Sequence, residues 1–315
     1  MNFRLIYLLL LLVGTSNIYA QKKRVASKIN VEEANASNII RFGNSVITLS
    51  NAAQQTTKNY KSMLDIAEDN LENVALNRQA YAINCKASSL RASDRTEYAA
   101  ALKTAPAFEQ KTAISKLVTQ GESDIDNIEK WCQALSVYFQ SKQYHTDSKY
   151  VAYESIKDSL IVYLKQNGQT WAAAASLASD AGNKAELVLL QKSKIASFVM
   201  PMKEDLSALD KTFSLLRNQD ISTQELRNQL QKLSQSVTKN KDISTKDVSK
   251  LSDYYYREVY TSYYQEMEAT IGYLNRLADK LDDTRSDEGD LNAAFGYASS
   301  GYNATIEKYN TFVNQ

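Results

Sequence analysis

The sequence predicts an all-α protein, an elongated bundle of long amphipathic helices with antiparallel, coiled-coil-like packing. Two observations support this prediction. Apolar residues recur at steps of three and four over long stretches, which places them on one face of a helix. The 315 residues also include only 2 Pro and 9 Gly, whereas a sheet-rich chain of this length needs many more turn residues.

The heptad pattern occurs in four stretches, and each is predicted to bury its apolar face against other helices. The heptad pattern is the same whether an apolar face packs against helices of its own chain or against a second copy. A homo-oligomer is therefore an alternative to packing within one chain. The repeating positions are Phe42, Val46, Leu49, Ala53, Thr56 and Tyr60; Val199, Met202, Leu206, Leu209 and Phe213; Tyr256, Tyr260, Tyr263, Met267 and Leu274; and Leu291, Phe295, Ala298, Tyr302 and Tyr309.

Residues 1–20 have the composition of a cleavable secretory signal peptide. Arg4 is a short basic region, Leu5 to Val13 is apolar, and Ala20 is the small residue expected before the cleavage site. The alternative is a retained N-terminal anchor, but the apolar run is shorter than the roughly 20 residues that cross a bilayer. We therefore expect an exported bacterial protein, periplasmic or secreted, with no stable transmembrane anchor and with 21–315 as a single domain.

The first half of the chain is predicted to contain helices separated by Pro and Gly. The first heptad stretch indicates a helix over 32–76, and the less regular stretch 77–105 indicates another. Pro106 and Gly121 are expected to mark breaks. A helix is then expected over 124–143.

The middle of the chain is predicted to form three further helices. Thr146 is a candidate N-cap for a helix that ends near Gly168. The next helix is expected to begin near Thr170 and to end at Gly182-Asn183. A third helix is expected over 184–218, with a kink or short break at Pro201.

Polar segments separate the last helices. Ser222 and Glu225 have the spacing of a capping box, which predicts a helix from there to about 236. The next helix is expected to begin at Ser244 and to end near 283, and the last to span 290–313. The segments 218–222 and 238–244 are candidate hinges.

The chain contains two cysteines, Cys85 and Cys132. Outside the cytoplasm an even number of cysteines favours a disulfide, and the export signal therefore favours a Cys85–Cys132 bond. Two buried free thiols are the alternative, because Cys132 lies on an apolar helical stripe.

Tyrosine is unusually frequent in the last quarter of the chain. Because a helix turns about 100° per residue, the tyrosines between 254 and 264 cannot all share one face. Those on the heptad seam are predicted to pack in the core. Tyr254 and Tyr264 lie off that seam, so we expect them to be exposed residues that bind a protein or glycan partner.

Several function classes lack their sequence signals. His145 is the only histidine, which excludes zinc sites with two His ligands, and no nucleophile-elbow motif accompanies it. The acidic cluster at 282–290 does not match an EF-hand loop, so a solvated acidic turn is expected. The net charge of +1 lacks the excess of positive charge that is typical of nucleic-acid-binding proteins. We expect no catalytic residue, no cofactor and no metal.

Two segments carry a resemblance to a known family. Glu33-Ala-Asn-Ala-Ser-Asn-Ile-Ile-Arg-Phe-Gly-Asn opens the first helix, and the last contains the dipeptides Tyr302-Asn303 and Tyr309-Asn310. This resembles the YiiG-like family of exported bacterial helical proteins, which has no assigned function. The resemblance implies an all-helical fold with adjacent first and last helices. Many members look like lipoproteins, but this chain lacks the lipobox cysteine.

These observations favour a non-enzymatic, exported helical protein that acts as an interaction or envelope-structural module. Its expected partner is a protein or a component of the cell envelope. The alternative is a secreted, toxin-like protein that inserts into membranes. For that role the candidate segment is Trp171 to Ala181, although small, well-packed helical side chains explain its composition better.

Overall fold

The structure, a computed structural model, describes residues 31–85, 89–217, 222–242, 251 and 254–313. These residues form eight α-helices and two short 3-10 helices, and they contain no strand. The all-α prediction is therefore confirmed. The α-helices are α1 (Val31–Ala75), α2 (Ala92–Thr104), α3 (Lys111–Gln140), α4 (Val151–Leu190), α5 (Ala196–Arg217), α6 (Thr223–Asn240), α7 (Tyr254–Asp282) and α8 (Glu288–Val313), and the 3-10 helices are Gln143–His145 and Ser148–Tyr150.

The described residues divide into two compact units. Ala34–Gly182 form the first unit, and the second contains the described residues of 183–315 together with 31–33. The single domain expected for 21–315 stays a prediction. The signal peptide expected at 1–20 lies outside the described residues, as do 218–221 and 243–244 of the two candidate hinges.

In the first unit, α1 and α4 run antiparallel. Ser50 Oγ donates to the Trp171 carbonyl at 3.1 Å, and Asn167 Nδ2 donates to Thr57 Oγ1 at 2.7 Å. Residue numbers therefore rise along α1 as they fall along α4. The apolar stripe of α1 lies in the core of this unit, because Phe42, Val46, Leu49, Ala53 and Tyr60 are all fully buried, as the heptad pattern predicts.

The break expected at Gly121 is wrong, because α3 runs through that position. A Cβ atom at Gly121 would lie 2.5 Å from Trp171 Cε2 and Nε1. Trp171 is itself fully buried. Glycine is therefore needed here for close packing of a large side chain, and the helix tolerates its low propensity at a cost of about 1 kcal/mol.

The breaks expected at Gly168 and at Gly182-Asn183 are also wrong, because α4 is continuous from Val151 to Leu190. Between them lies an Ala- and Leu-rich stretch with high helix propensity. In this stretch Trp171, Ala174, Ala178 and Ala181 are buried, so packing stabilises the helix across both glycines.

Thr146 does not cap α4. Its hydroxyl donates to the Gln143 carbonyl at 3.1 Å. The Asp147 carboxylate satisfies the helix start instead, because it accepts from the backbone N–H groups of Ala152 at 3.1 Å and Tyr153 at 3.2 Å. An ionised carboxylate is a strong acceptor at the positive end of a helix.

In the second unit, α7 and α8 form an antiparallel pair. The hydroxyls of Thr270 and Thr305 lie 3.3 Å apart, and nearer the connecting turn Lys280 Nζ lies 3.3 Å from Asp290 Oδ2. The predicted cap of α6 is confirmed, since Ser222 Oγ accepts from the Glu225 N–H at 3.1 Å. The helix start expected at Ser244 falls outside the described residues.

The other three heptad stretches supply the core of the second unit. α5 continues through Pro201, its sixth residue, without the expected break. Fully or almost fully buried positions include Val199, Met202, Leu206, Leu209, Phe213, Tyr260, Tyr263, Met267, Leu274, Ala298, Tyr302 and Tyr309. Burial is confirmed for these positions, whereas Tyr256, Leu291 and Phe295 are partly buried against the same core. Coiled-coil geometry stays a prediction.

Within the described part of the chain, no helix has an apolar stretch of the length needed to cross a membrane.

Candidate functional site

The structure separates the two tyrosines predicted to bind a partner. Tyr254, in the first turn of α7, is 72% exposed, and the adjacent Tyr255 is 50% exposed. Tyr264 is only 2% exposed, so the expectation that it lies on the surface is wrong. Tyr264 follows Tyr260 by one helical turn and precedes Met267 by three residues. The buried stripe of α7 is therefore wider than a strict heptad seam, as is usual for a helix of a globular core.

Tyr264 belongs to a buried polar cluster around Asp205 of α5. Asp205 is 1% exposed, and its carboxylate accepts hydrogen bonds from Asn240 Nδ2 at 3.0 Å, Tyr264 OH at 3.3 Å and the hydroxyl of Ser236. All three donors are uncharged. Burial therefore raises the pKa of Asp205, although the hydrogen bonds partly oppose this shift.

The neighbouring tyrosines are held by the same packing. Tyr260 OH donates to the Asn240 carbonyl, and Tyr263 OH donates to the Met202 carbonyl at 2.6 Å. Burial raises the pKa of Tyr260 to about 12. These phenols stay protonated and act as donors that tie α7 to α5 and α6.

A second buried cluster joins α4, α5 and α8. Lys203 Nζ lies 2.6 Å from Glu186 Oε2, and these side chains are 4% and 8% exposed. Tyr309 OH donates to Glu186 Oε1 at 2.7 Å. The Lys203 ammonium also lies 5.3 Å from the centroid of the Tyr309 ring. Burial is the main cause that raises the pKa of Tyr309, and the adjacent Glu186 carboxylate adds to it.

Sequence reasoning missed Glu186, Lys203 and Asp205. Their position in the sequence could have indicated two of them, since Lys203 and Asp205 lie between the apolar heptad residues Met202 and Leu206. Charged side chains this close to an apolar stripe are expected to snorkel to solvent or to find buried partners. The sequence does not reveal which occurs, because the partners come from distant helices.

The predicted disulfide between Cys85 and Cys132 is confirmed, with the two Cα atoms 5.7 Å apart. It fixes the non-helical segment 76–85, which follows α1, against α3. Helix side chains also bind the backbone of this segment at alternate residues. Tyr60 OH donates to the Cys85 carbonyl at 2.7 Å, and Ser136 Oγ donates to the Ile83 carbonyl at 3.0 Å.

The remaining sequence candidates lie at the surface. His145 is exposed, at the end of a 3-10 helix, and its ring centroid lies 4.5 Å from that of Tyr144. In the acidic cluster, Asp282 pairs with Arg227 at 2.9 Å, which is the main cause that lowers the pKa of Asp282. The described residues contain no group of three or more His, Cys, Asp or Glu arranged to hold a metal ion.

Comparisons with known proteins identify no family. No protein-family model matches the chain, and no curated protein matches it. Among solved structures, it is similar to a crystal structure described as an alpha helical protein from Bacteroides fragilis. The two share 12% identity with a TM-score of 0.47, and the alignment covers 88% of this chain and 99% of the other. At that score the similarity carries no argument, and the all-α fold rests on the helices themselves.

Proposed function

We propose that this protein is an exported helical module that binds a protein partner or a component of the cell envelope. The observation that carries the proposal is the exposed tyrosine pair at the start of α7, with Tyr254 72% and Tyr255 50% exposed. Tyrosine offers a large contact area with few rotatable bonds and a polar tip, so it is enriched where proteins bind each other.

Export is the second part of the proposal. It is supported by the leader-like composition of residues 1–20 and by the disulfide between Cys85 and Cys132, because disulfides persist in oxidising compartments. A periplasmic or secreted location in a bacterium follows from the proposal. Membership of the YiiG-like family is part of the same proposal.

The interaction role is tested by affinity capture from native envelope extracts with tagged mature protein. Tyr254→Ala/Tyr255→Ala is compared with Tyr297→Ala, a control on α8 whose side chain is 64% exposed. We expect wild-type protein and the control to retain the same partner and the double variant to lose it. Matching circular dichroism spectra establish that every variant is folded.

If all three proteins capture the same partner, the exposed tyrosines of α7 do not form the binding surface. A failure of wild-type protein to capture any partner, combined with dye release from liposomes, would favour the membrane-inserting alternative. A hydrolytic activity on cell-wall glycans that disappears on replacing a single Asp or Glu would contradict a non-enzymatic role.

A further inference from the structure

An open depression lies on the surface of the first unit. It encloses ≈ 360 Å³, which lies within the size range of small-molecule sites. One wall is Trp131 of α3, and the other consists of two adjacent rows of side chains on α4. The lining residues are Trp131, Asp158, Ser159, Val162, Tyr163 and Gln166.

The aromatic side chains are held in place by the core. Trp131 and Tyr163 are partly buried and pack against the apolar cluster that contains the disulfide. Val162, which also lines the depression, is 58% exposed. The depression therefore offers two fixed aromatic rings and an aliphatic contact, which favour a ligand with apolar substituents.

The polar groups of the lining are biased toward accepting hydrogen bonds. Ser159 Oγ donates its hydrogen to the Ser155 carbonyl at 2.9 Å. Gln166 Nε2 donates one of its two hydrogens to the fully buried Asp124 carboxylate at 3.1 Å, and Gln166 Oε1 can only accept. Asp158 is exposed and adds a full negative charge.

The Asp158 carboxylate forms no ion pair within 4.0 Å with any residue in the described part of the chain. The ammonium of the preceding Lys157 lies 2.8 Å from Glu154 and 3.9 Å from Glu68. Lys157 also has a Coulombic attraction to Asp158. Asp158 can still attract an external cation because it forms no close ion pair, and an aromatic ring adds to this attraction where its face meets the cation. The Lys130 ammonium, which does not line the depression, lies 6.0 Å from the Trp131 ring centroid, so a bound cation would share this ring with an existing positive charge.

We propose that this depression binds a small organic cation, an alkylated ammonium group. Its charge would lie against Asp158 and its alkyl groups against Trp131, Tyr163 and Val162. Because the site is open and its carboxylate is exposed, binding is expected in the millimolar range, about 1 mM. This inference concerns α3 and α4 and does not depend on the proposed role of the α7 tyrosines.

The test is a fluorescence titration with choline on the full mature protein. The chain has two tryptophans, and Trp171 is fully buried in another cluster, so a saturable change reports Trp131. 3,3-Dimethylbutan-1-ol, which has the shape of choline without its charge, is expected to bind at least about tenfold more weakly.

Variants assign the signal to the site. Asp158→Asn is expected to weaken choline binding about fivefold, and Trp131→Phe is expected to abolish the fluorescence response. Asp126→Asn removes the same charge from an exposed position of α3 that does not line the depression, and it is expected to leave the affinity unchanged.

Three results would overturn the inference. These are equal binding of choline and its neutral analogue, equal weakening by the two Asp→Asn variants, or no saturable response to choline. A response to N-acetylglucosamine without one to choline would instead identify a saccharide site and would also refute the cation assignment.

Discussion

Replacing Lys203 by Met should strongly destabilise the second unit, whereas replacing both members of the Lys203–Glu186 pair should not. Both side chains are less than a tenth exposed, and their charged atoms lie 2.6 Å apart. Lys203→Met leaves the Glu186 carboxylate buried with the Tyr309 hydroxyl as its remaining hydrogen-bond donor. Breaking a buried pair in this way costs about 3–5 kcal/mol.

The double variant Lys203→Met/Glu186→Gln removes both charges and keeps an acceptor for Tyr309. The double variant should therefore lower the free energy of unfolding by only about 1–2 kcal/mol, the cost of a buried amide that is imperfectly hydrogen-bonded. The two single variants added together predict about 6–10 kcal/mol, so the cycle distinguishes a coupled buried pair from independent contributions.

Urea unfolding followed by far-UV circular dichroism measures these free energies, with a matched control. Lys241 and Glu268 form an ion pair at the same 2.6 Å distance, but each side chain is 44% exposed. Lys241→Met should therefore cost less than about 1 kcal/mol. If Lys203→Met costs no more than Lys241→Met, or if the double variant costs the sum of the two single variants, Lys203 and Glu186 are not a coupled buried pair.

Three further predictions concern the disulfide, two glycines and Asp205. Reducing the disulfide, whose cysteines are 47 positions apart, should lower the free energy of unfolding by about 4 kcal/mol in the chain-entropy model, measured by urea unfolding with and without a dithiol. Gly121→Ala should lower the free energy of unfolding by about 1–3 kcal/mol, because its Cβ would clash with Trp171. Gly168→Ala should raise it by up to about 1 kcal/mol, because a Cβ there meets nothing within 4 Å. Thermal melts compare the two variants with the wild-type protein. Burial raises the folded-state pKa of Asp205 above its ordinary 3.8, so its contribution to stability is lost as pH rises through that raised pKa. Asp205→Asn should remove this part of the pH dependence in urea titrations across acidic pH, and an unchanged slope would contradict the assignment.

The helices and their buried faces could be predicted because periodicity is a local property of the chain. Phe42 to Tyr60 and Val199 to Phe213 are buried as their spacing indicates. Helix ends were less predictable. Gly121 and Gly168 do not end helices, because tertiary packing outweighs a propensity cost of about 1 kcal/mol.

The polar clusters could not be predicted, because their members come from helices far apart in sequence. Tyr254 is the first residue of α7, whereas Tyr264 lies inside the helix. Tyr264 is buried because the buried stripe of α7 is wider than the heptad seam. Asp205 meets Asn240 across 35 positions of the chain. The disulfide was predictable, since two cysteines allow only one intramolecular pairing.

Site-specific photo-cross-linking in intact cells tests the interaction role most directly. A photoreactive phenylalanine derivative replaces Tyr254 or, as the control, the similarly exposed Tyr297. We expect a discrete cross-linked adduct at position 254 on the exported, disulfide-bonded protein and no adduct at position 297. No adduct at 254, or the same adducts at both positions, would contradict the interaction role.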